Sequence, residues 1–103
     1  MRIETLDARW LDEQQRVTLE ELAEVSGLPV TLLSELVESG ALVPVDARAE
    51  HWVFASTCVS VVRTAGRLRN DFDLDAGGVS LALRLLERIE ALEDEIRHLR
   101  AGR

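Results

Sequence analysis

Carboxylates give this sequence its clearest chemical character. Glu35 and Glu38 lie three residues apart in an apolar-patterned segment, and Glu20, Glu21 and Glu24 cluster in the segment before it. Carboxylates at spacings of three and four residues share one face of a helix. Carboxylates on a solvated helix face lack the enclosed environment that general acid catalysis needs. The chemistry that this arrangement supports is ionic binding of a cationic partner.

Other residue types that carry catalysis or ligand binding are isolated along the chain. The serines have no evident adjacent base, Cys58 is the one cysteine, and His51 and His98 lie far apart. These positions lack metal-ligand spacing, and residues 76–78 lack the lysine of a phosphate-binding loop. We therefore predict a protein that is not an enzyme and binds no metal or cofactor. A lone cysteine, with no signal peptide or membrane-spanning run, predicts a cytoplasmic location.

The formal charge is unevenly distributed. The 103-residue chain carries a net charge of −7, and residues 1–50 account for all of it with eleven acids against four arginines. Residues 51–103 hold eight of each. A field of this sign attracts basic partners and repels nucleic acid and anionic membranes. Acidic surfaces also favour solubility, so charge alone leaves both interpretations open.

The acidic half contains the pattern of a helix-turn-helix. Thr18 and Glu21 form a capping-box pair that begins a helix, and Gly27 permits its exit. Pro29 suits the first turn of a second helix, which Gly40 closes. The buried stripe of this second helix is predicted to be Val30, Leu33, Leu36 and Val37, and its outer face Thr31, Ser34, Glu35 and Glu38. In a DNA-binding protein that outer face would enter the major groove, yet here it bears no cation.

Short elements are predicted on either side of the helix pair. Residues 1–17 are expected to form a strand or an irregular lead-in. Residues 42–45 and 51–54 are β-prone runs that predict a hairpin wing, with Pro44 confining its strand to an edge. A third helix should run from about Ser56 to about Asp71, with an apolar stripe of Cys58, Val61, Val62, Ala65, Leu68 and Phe72.

One local cluster of cations lies on the third helix. Arg63, Arg67 and Arg69 follow one another closely, and three aspartates come just after them. Arginines at such spacing suit either phosphate binding or ion pairing within the chain. We favour ion pairs with the aspartates, which are Asp71, Asp73 and Asp75.

The last helix is the longest predicted element. Asp75 should cap it, and it can continue to about Arg100. A first-half stripe of Val79, Leu83 and Leu86 predicts burial in the same chain. A heptad seam runs along the helix, and its predicted dimer interface is Leu85, Ile89, Leu92, Ile96 and Leu99.

These patterns define the predicted organisation. Residues 1–75 form the winged helix-turn-helix domain with its third helix, and residues 76–103 form a dimerisation helix in the same compact unit. We favour dimerisation over packing of the seam against the same chain, because isolated helices of this length are marginal in water. The direction of the pair stays open, since Arg88 meets Glu93 in a parallel dimer or Glu95 in an antiparallel one.

Together the elements resemble the MerR-type winged helix-turn-helix architecture. The predicted fold class is mainly α, with a short β-hairpin wing and a long C-terminal helix that forms a dimer coiled coil. DNA-binding members typically carry an arginine and aromatic residues in the second helix, where this chain has Ser34, Glu35, Leu36 and Val37. The basic side chains that contact DNA in those members are missing at these positions.

A narrower resemblance covers about forty positions. The segments that carry it are Trp52-Val53-Phe54, Arg63 with Arg67-Leu68-Arg69, Leu74-Asp75, Gly78, and Ala82-Leu83 with Leu85, Ile89 and Leu92. They resemble the CbpM family of chaperone modulatory proteins. This resemblance implies a non-catalytic adaptor that binds the J-domain of a DnaJ-like co-chaperone of the CbpA type. Binding would keep that co-chaperone from stimulating a DnaK-type ATPase.

Charge and predicted exposure indicate which side chains meet the partner. The candidates are the carboxylates Glu20, Glu21, Glu24, Glu35 and Glu38, with Trp52 as a possible anchor. The alternative function is a MerR-like transcriptional regulator that binds a palindromic operator as a dimer. The predicted fold favours the transcriptional regulator, whereas the negative charge of the N-terminal half opposes binding to DNA.

Overall fold

The computed structural model describes residues 15–102, and the predicted mainly helical fold class is confirmed. The elements in chain order are strand β1 (Arg16–Thr18), helix α1 (Leu19–Ser26), helix α2 (Val30–Glu38), strand β2 (Val53–Ala55), helix α3 (Cys58–Phe72) and helix α4 (Ala76–Ala101). Residues 1–14 lie outside the described part of the chain. The predicted lead-in is therefore tested only at its end, where β1 forms.

The first helix has the predicted capping box. The Glu21 amide donates to the Thr18 hydroxyl at 3.1 Å, and the Thr18 amide donates to the Glu21 carboxylate at 2.8 Å. Gly27 ends the helix at φ 75°, in the left-handed region that favours glycine, and its amide donates to the Ala23 carbonyl at 2.9 Å. The chain thus turns sharply into α2, as a helix-turn-helix requires.

The second helix begins one residue later than predicted. Pro29 occupies the cap position, and its carbonyl accepts hydrogen bonds from the first turn. The buried residues are Leu32, Leu33 and Leu36, while Val30 is 38% exposed. The stripe is therefore rotated from the prediction, because α2 must also cover α4.

The predicted wing hairpin is wrong in its pairing. Strand β2 pairs antiparallel with β1, and Val17 lies opposite Phe54. Residues 42–45 form no strand and keep one hydrogen bond to β2, from the Val45 amide to the Val53 carbonyl at 2.8 Å. Pro44 has no amide to donate to a ladder and is buried instead, whereas β1 offers an unbroken row of backbone groups.

The third helix spans Cys58–Phe72, close to its predicted range, with Thr57 at the cap position. Val62 and Ala65 are fully buried, as predicted, but Phe72 is 67% exposed and lies outside the core. The helix ends there, and Asp73 takes a left-handed conformation at φ 56° that turns the chain toward α4. Phe72 is the last residue of α3 and lies about two turns beyond Ala65, the last buried residue of the stripe.

A single core joins all four helices and β2. Its buried members are Leu22, Leu28, Leu32, Leu33, Leu36, Leu42, Phe54, Val62, Ala65, Val79 and Leu83. Helix α1 approaches α3 so closely that a Cβ at Gly66 would lie 2.5 Å from the Ser26 carbonyl oxygen. Glycine is therefore a requirement of this packing.

Helix α4 has two unlike halves. Asp75 caps it by accepting a hydrogen bond from the Gly78 amide at 2.8 Å, as predicted. Val79 and Leu83 are buried in the core, and the Ser80 hydroxyl lies 2.8 Å from the Ser39 hydroxyl. Every residue of 84–102 is exposed. The domain boundary drawn at residue 75 stays a prediction.

Two glycine substitutions are expected to have opposite effects on stability, because only Gly66 lies where α1 and α3 approach closely. Gly66→Ala places a methyl group against backbone that cannot move aside, so we expect the free energy of unfolding to fall by about 1–3 kcal/mol. Gly77→Ala is the matched control, because its nearest neighbour would lie at 3.6 Å and a helical alanine stabilises by about 0.5 kcal/mol. Urea unfolding curves measure both. An unchanged or raised midpoint for Gly66→Ala contradicts the packing.

Candidate protein-binding site

The outer face of α2 is acidic, as predicted. Glu35 and Glu38 are exposed one helical turn apart, beside exposed Thr31. Within residues 15–102, no side chain forms an ion pair with either carboxylate. Both charges are therefore available to a cationic partner.

The three carboxylates of α1 are not equivalent. Glu20 and Glu24 are exposed and have no ion-pair partner among the described residues. Glu21 is exposed too, but its carboxylate holds the Thr18 amide in the capping box. A partner that recruited Glu21 would compete with the cap, so Glu20 and Glu24 are the better candidates for contact.

A groove brings together two of the predicted contact residues. It has a volume of about 560 Å³ and is lined by Thr18, Leu19, Glu20, Glu50, His51, Trp52 and Val53. Glu20 enters from the first turn of α1, and Trp52 from the residue before β2. Sequence patterning missed Glu50, because it belongs to a polar loop whose position depends on the pairing of β2 with β1.

Trp52 is held in place by its own chain. The side chain is half-buried against the core, and its indole Nε1 donates to the Ala47 carbonyl at 3.3 Å. A protruding anchor would expose the ring, whereas this indole forms a wall of the groove. The part predicted for Trp52 in partner binding remains a prediction.

Glu35 belongs to a different cleft. That cleft has a volume of about 370 Å³ and is lined by Pro29, Thr31, Leu32, Glu35, Arg69, Asp73, Leu74, Asp75 and Ala76. Neither Glu24 nor Glu38 lines either depression. The predicted carboxylates are thus spread over α1 and α2 and do not converge on one pocket.

The cations of α3 do not pair as predicted. Arg63 and Arg67 are exposed, and neither they nor Arg69 form an ion pair within the described part of the chain. The Arg67 guanidinium donates to the Thr64 hydroxyl at 3.3 Å instead. Surface ion pairs gain little over hydration, so nothing forces these arginines onto the nearby aspartates.

The predicted seam of α4 is an apolar stripe open to solvent in the single chain. Its residues are between 39% and 71% exposed, and they are Leu85, Ile89, Leu92, Ile96 and Leu99. The base of the helix is fixed to α2, because the Arg84 guanidinium donates to the Ser39 carbonyl. The stripe therefore projects from a firmly held base.

The structure offers little for catalysis at Cys58. Burial raises the pKa of this thiol, which lowers the fraction of reactive thiolate at neutral pH. The side chain is half-buried and packs against the core. A packing role accounts for this residue.

No helix within residues 15–102 is long and apolar enough to cross a membrane.

Known proteins similar to this chain are regulators. Residues 17–101 match the model of the MerR HTH family regulatory proteins. Chaperone modulatory protein CbpM of Escherichia coli O1:K1 is 35% identical over 83 residues, which are 81% of this chain and 82% of that protein. CbpM of Salmonella arizonae is 35% identical over 82 residues, 80% of this chain and 81% of its own length.

A more distant relative extends the same match. CbpM of Coxiella burnetii is 26% identical over 89 residues, which cover 86% of this chain and 84% of the relative. Neither the family model nor these relatives is described as an enzyme. With its helix-turn-helix, its long terminal helix and these similarities, the chain belongs to the CbpM family of chaperone modulatory proteins, within the MerR helix-turn-helix proteins.

Proposed function

We propose that this protein is a non-catalytic adaptor that binds the J-domain of a DnaJ-like co-chaperone of the CbpA type. Occupation of the J-domain keeps it from the DnaK-type chaperone and so inhibits co-chaperone activity. The observation that carries the proposal is the outer face of α2, where Glu35 and Glu38 stand exposed and unpaired among the described residues. The single cysteine, Cys58, suits the reducing cytoplasm.

Charge complementarity supports this partner. J-domains of this kind present a basic helix to their chaperone, and the adaptor offers carboxylates on two helices, with Glu20 and Glu24 on α1. Opposite fields raise the rate of encounter, while desolvated aromatic and apolar contacts slow dissociation. A surface that competes for the basic helix needs no catalytic group.

Operator binding is the second candidate, because the chain shares the fold of MerR regulatory proteins. A protein gains most of its affinity for DNA by neutralising phosphates with lysine and arginine. The exposed face of α2 presents carboxylates where those cations would be needed. We therefore rank this function below the adaptor.

The full-length protein is expected to bind a CbpA-type co-chaperone with micromolar or tighter affinity in calorimetry, and to abolish its stimulation of DnaK ATPase activity. The same preparation should show no salt-sensitive binding to duplex DNA. Absence of co-chaperone binding, or selective duplex binding at physiological salt, contradicts the proposal.

Charge reversal tests the acidic surface. The double substitution Glu35→Arg with Glu38→Arg places cations against a basic helix, so we expect co-chaperone affinity to fall by about tenfold or more at low salt. Glu87→Arg with Glu90→Arg is the matched control, because these exposed residues have the same spacing on α4. Equal affinities for the two double variants would remove α2 from the interface.

We also propose that the adaptor is a homodimer through the exposed stripe of α4. The helix continues for about two heptads past the last buried residue, Leu83. A solitary helix of that length is marginal in water, and a second copy of the same stripe buries both apolar faces. Ile89 is the second of the five residues in the stripe.

Substitution of Ile89 is expected to separate the protomers. Ile89→Glu puts a charge into the seam, so sedimentation velocity should show a monomer where the unsubstituted protein is a dimer. Ala91→Glu adds the same charge on the solvent side of α4 and should leave the dimer intact. A monomeric unsubstituted protein, or a dimeric Ile89→Glu variant, contradicts this interface.

A further inference from the structure

The groove beside Trp52 combines an aromatic side chain with two carboxylates. We call it the Trp52 groove and define it by Thr18, Leu19, Glu20, Glu50, His51, Trp52 and Val53. Its volume of about 560 Å³ is open to solvent, and two of its residues, Thr18 and Val53, are opposite each other in the β1–β2 ladder. Part of the lining is therefore paired backbone.

The aromatic wall of the groove is preorganised. The hydrogen bond from the Trp52 indole to the Ala47 carbonyl and the packing of the ring on the core fix its position. Part of the side chain nevertheless meets solvent. A fixed ring loses little conformational freedom when a ligand stacks on it, which favours binding.

Two carboxylates flank that wall from different elements. Glu20 comes from α1 and Glu50 from the loop before β2, and both are exposed. No lysine or arginine is among the residues that line the groove, and no described side chain pairs with either carboxylate. Negative potential therefore lies over an aromatic surface, an environment that attracts cations and repels phosphates.

We propose that the Trp52 groove receives one arginine side chain from the basic helix of the partner. The planar guanidinium stacks on the indole, and its donors reach the carboxylates of Glu20 and Glu50. An uncharged apolar side chain would desolvate both carboxylates without compensation, and an acidic one would be repelled. This inference rests on the proposed function and names the chemistry by which the Trp52 groove selects its partner.

Removal of the two charges tests the groove with little change in shape. For the full-length protein with Glu20→Gln and Glu50→Gln, we expect affinity for the CbpA-type co-chaperone to fall by about tenfold. The control is Glu87→Gln with Glu90→Gln, which removes the same charge from α4 and should change affinity less than twofold. Trp52→Leu should weaken binding by a similar factor to the groove variant, and thermal unfolding of that variant checks its fold.

A second readout separates contact from general electrostatics. Trp10→Phe removes the other tryptophan of the chain. In this variant labelled with ¹⁵N at tryptophan, the NMR signal of the Trp52 indole should shift when co-chaperone is added. If the unsubstituted protein fails to bind co-chaperone, the proposed function falls with the groove. If it binds, but the groove and control variants have equal affinities and the indole signal is unmoved, the groove assignment alone is overturned.

Discussion

The close packing of α1 against α3 is the constraint on which the rest of this structure depends. Gly66 lets the two backbones meet where any side chain would strike the Ser26 carbonyl. That contact sets the angle at which α1 and the turn at Gly27 present α2 to the core. Leu22, Leu33 and Phe54 then fill the space without exposure to water. Close-packed interiors do not deform gradually, so the orientation of α1 and α2 is fixed.

Once the inward faces are fixed, the outward faces follow. Leu32, Leu33 and Leu36 point into the core, which leaves Glu35 and Glu38 on the surface that DNA-binding relatives of this fold use for phosphate and base contacts. The helix-turn-helix architecture thus carries carboxylates on this face. A scaffold that presents a helix to a groove can equally present it to another protein, because presentation depends on packing and choice of partner depends on charge.

The base of α4 links this scaffold to the exposed seam. The Ser39–Ser80 hydrogen bond and the Arg84 contact with the Ser39 carbonyl hold the start of α4 on the end of α2. Beyond Leu83 every described residue of the helix is exposed. An apolar stripe that projects from such a base is suited to association. The two halves of α4 differ because only the first half packs against the core.

Local patterns in the sequence determined the helices, their caps at Thr18 and Asp75, the turn at Gly27 and the acidic outer face of α2, because each depends on residues three or four positions apart. Only the tertiary structure decided the strand pairing, in which β2 joins β1 and residues 42–45 are left without a ladder. It also decided that Phe72 is exposed and that Glu50 joins Glu20 and Trp52 in one groove. These features depend on contacts between segments far apart in the chain, and hydrophobic spacing within one segment carries no information about them.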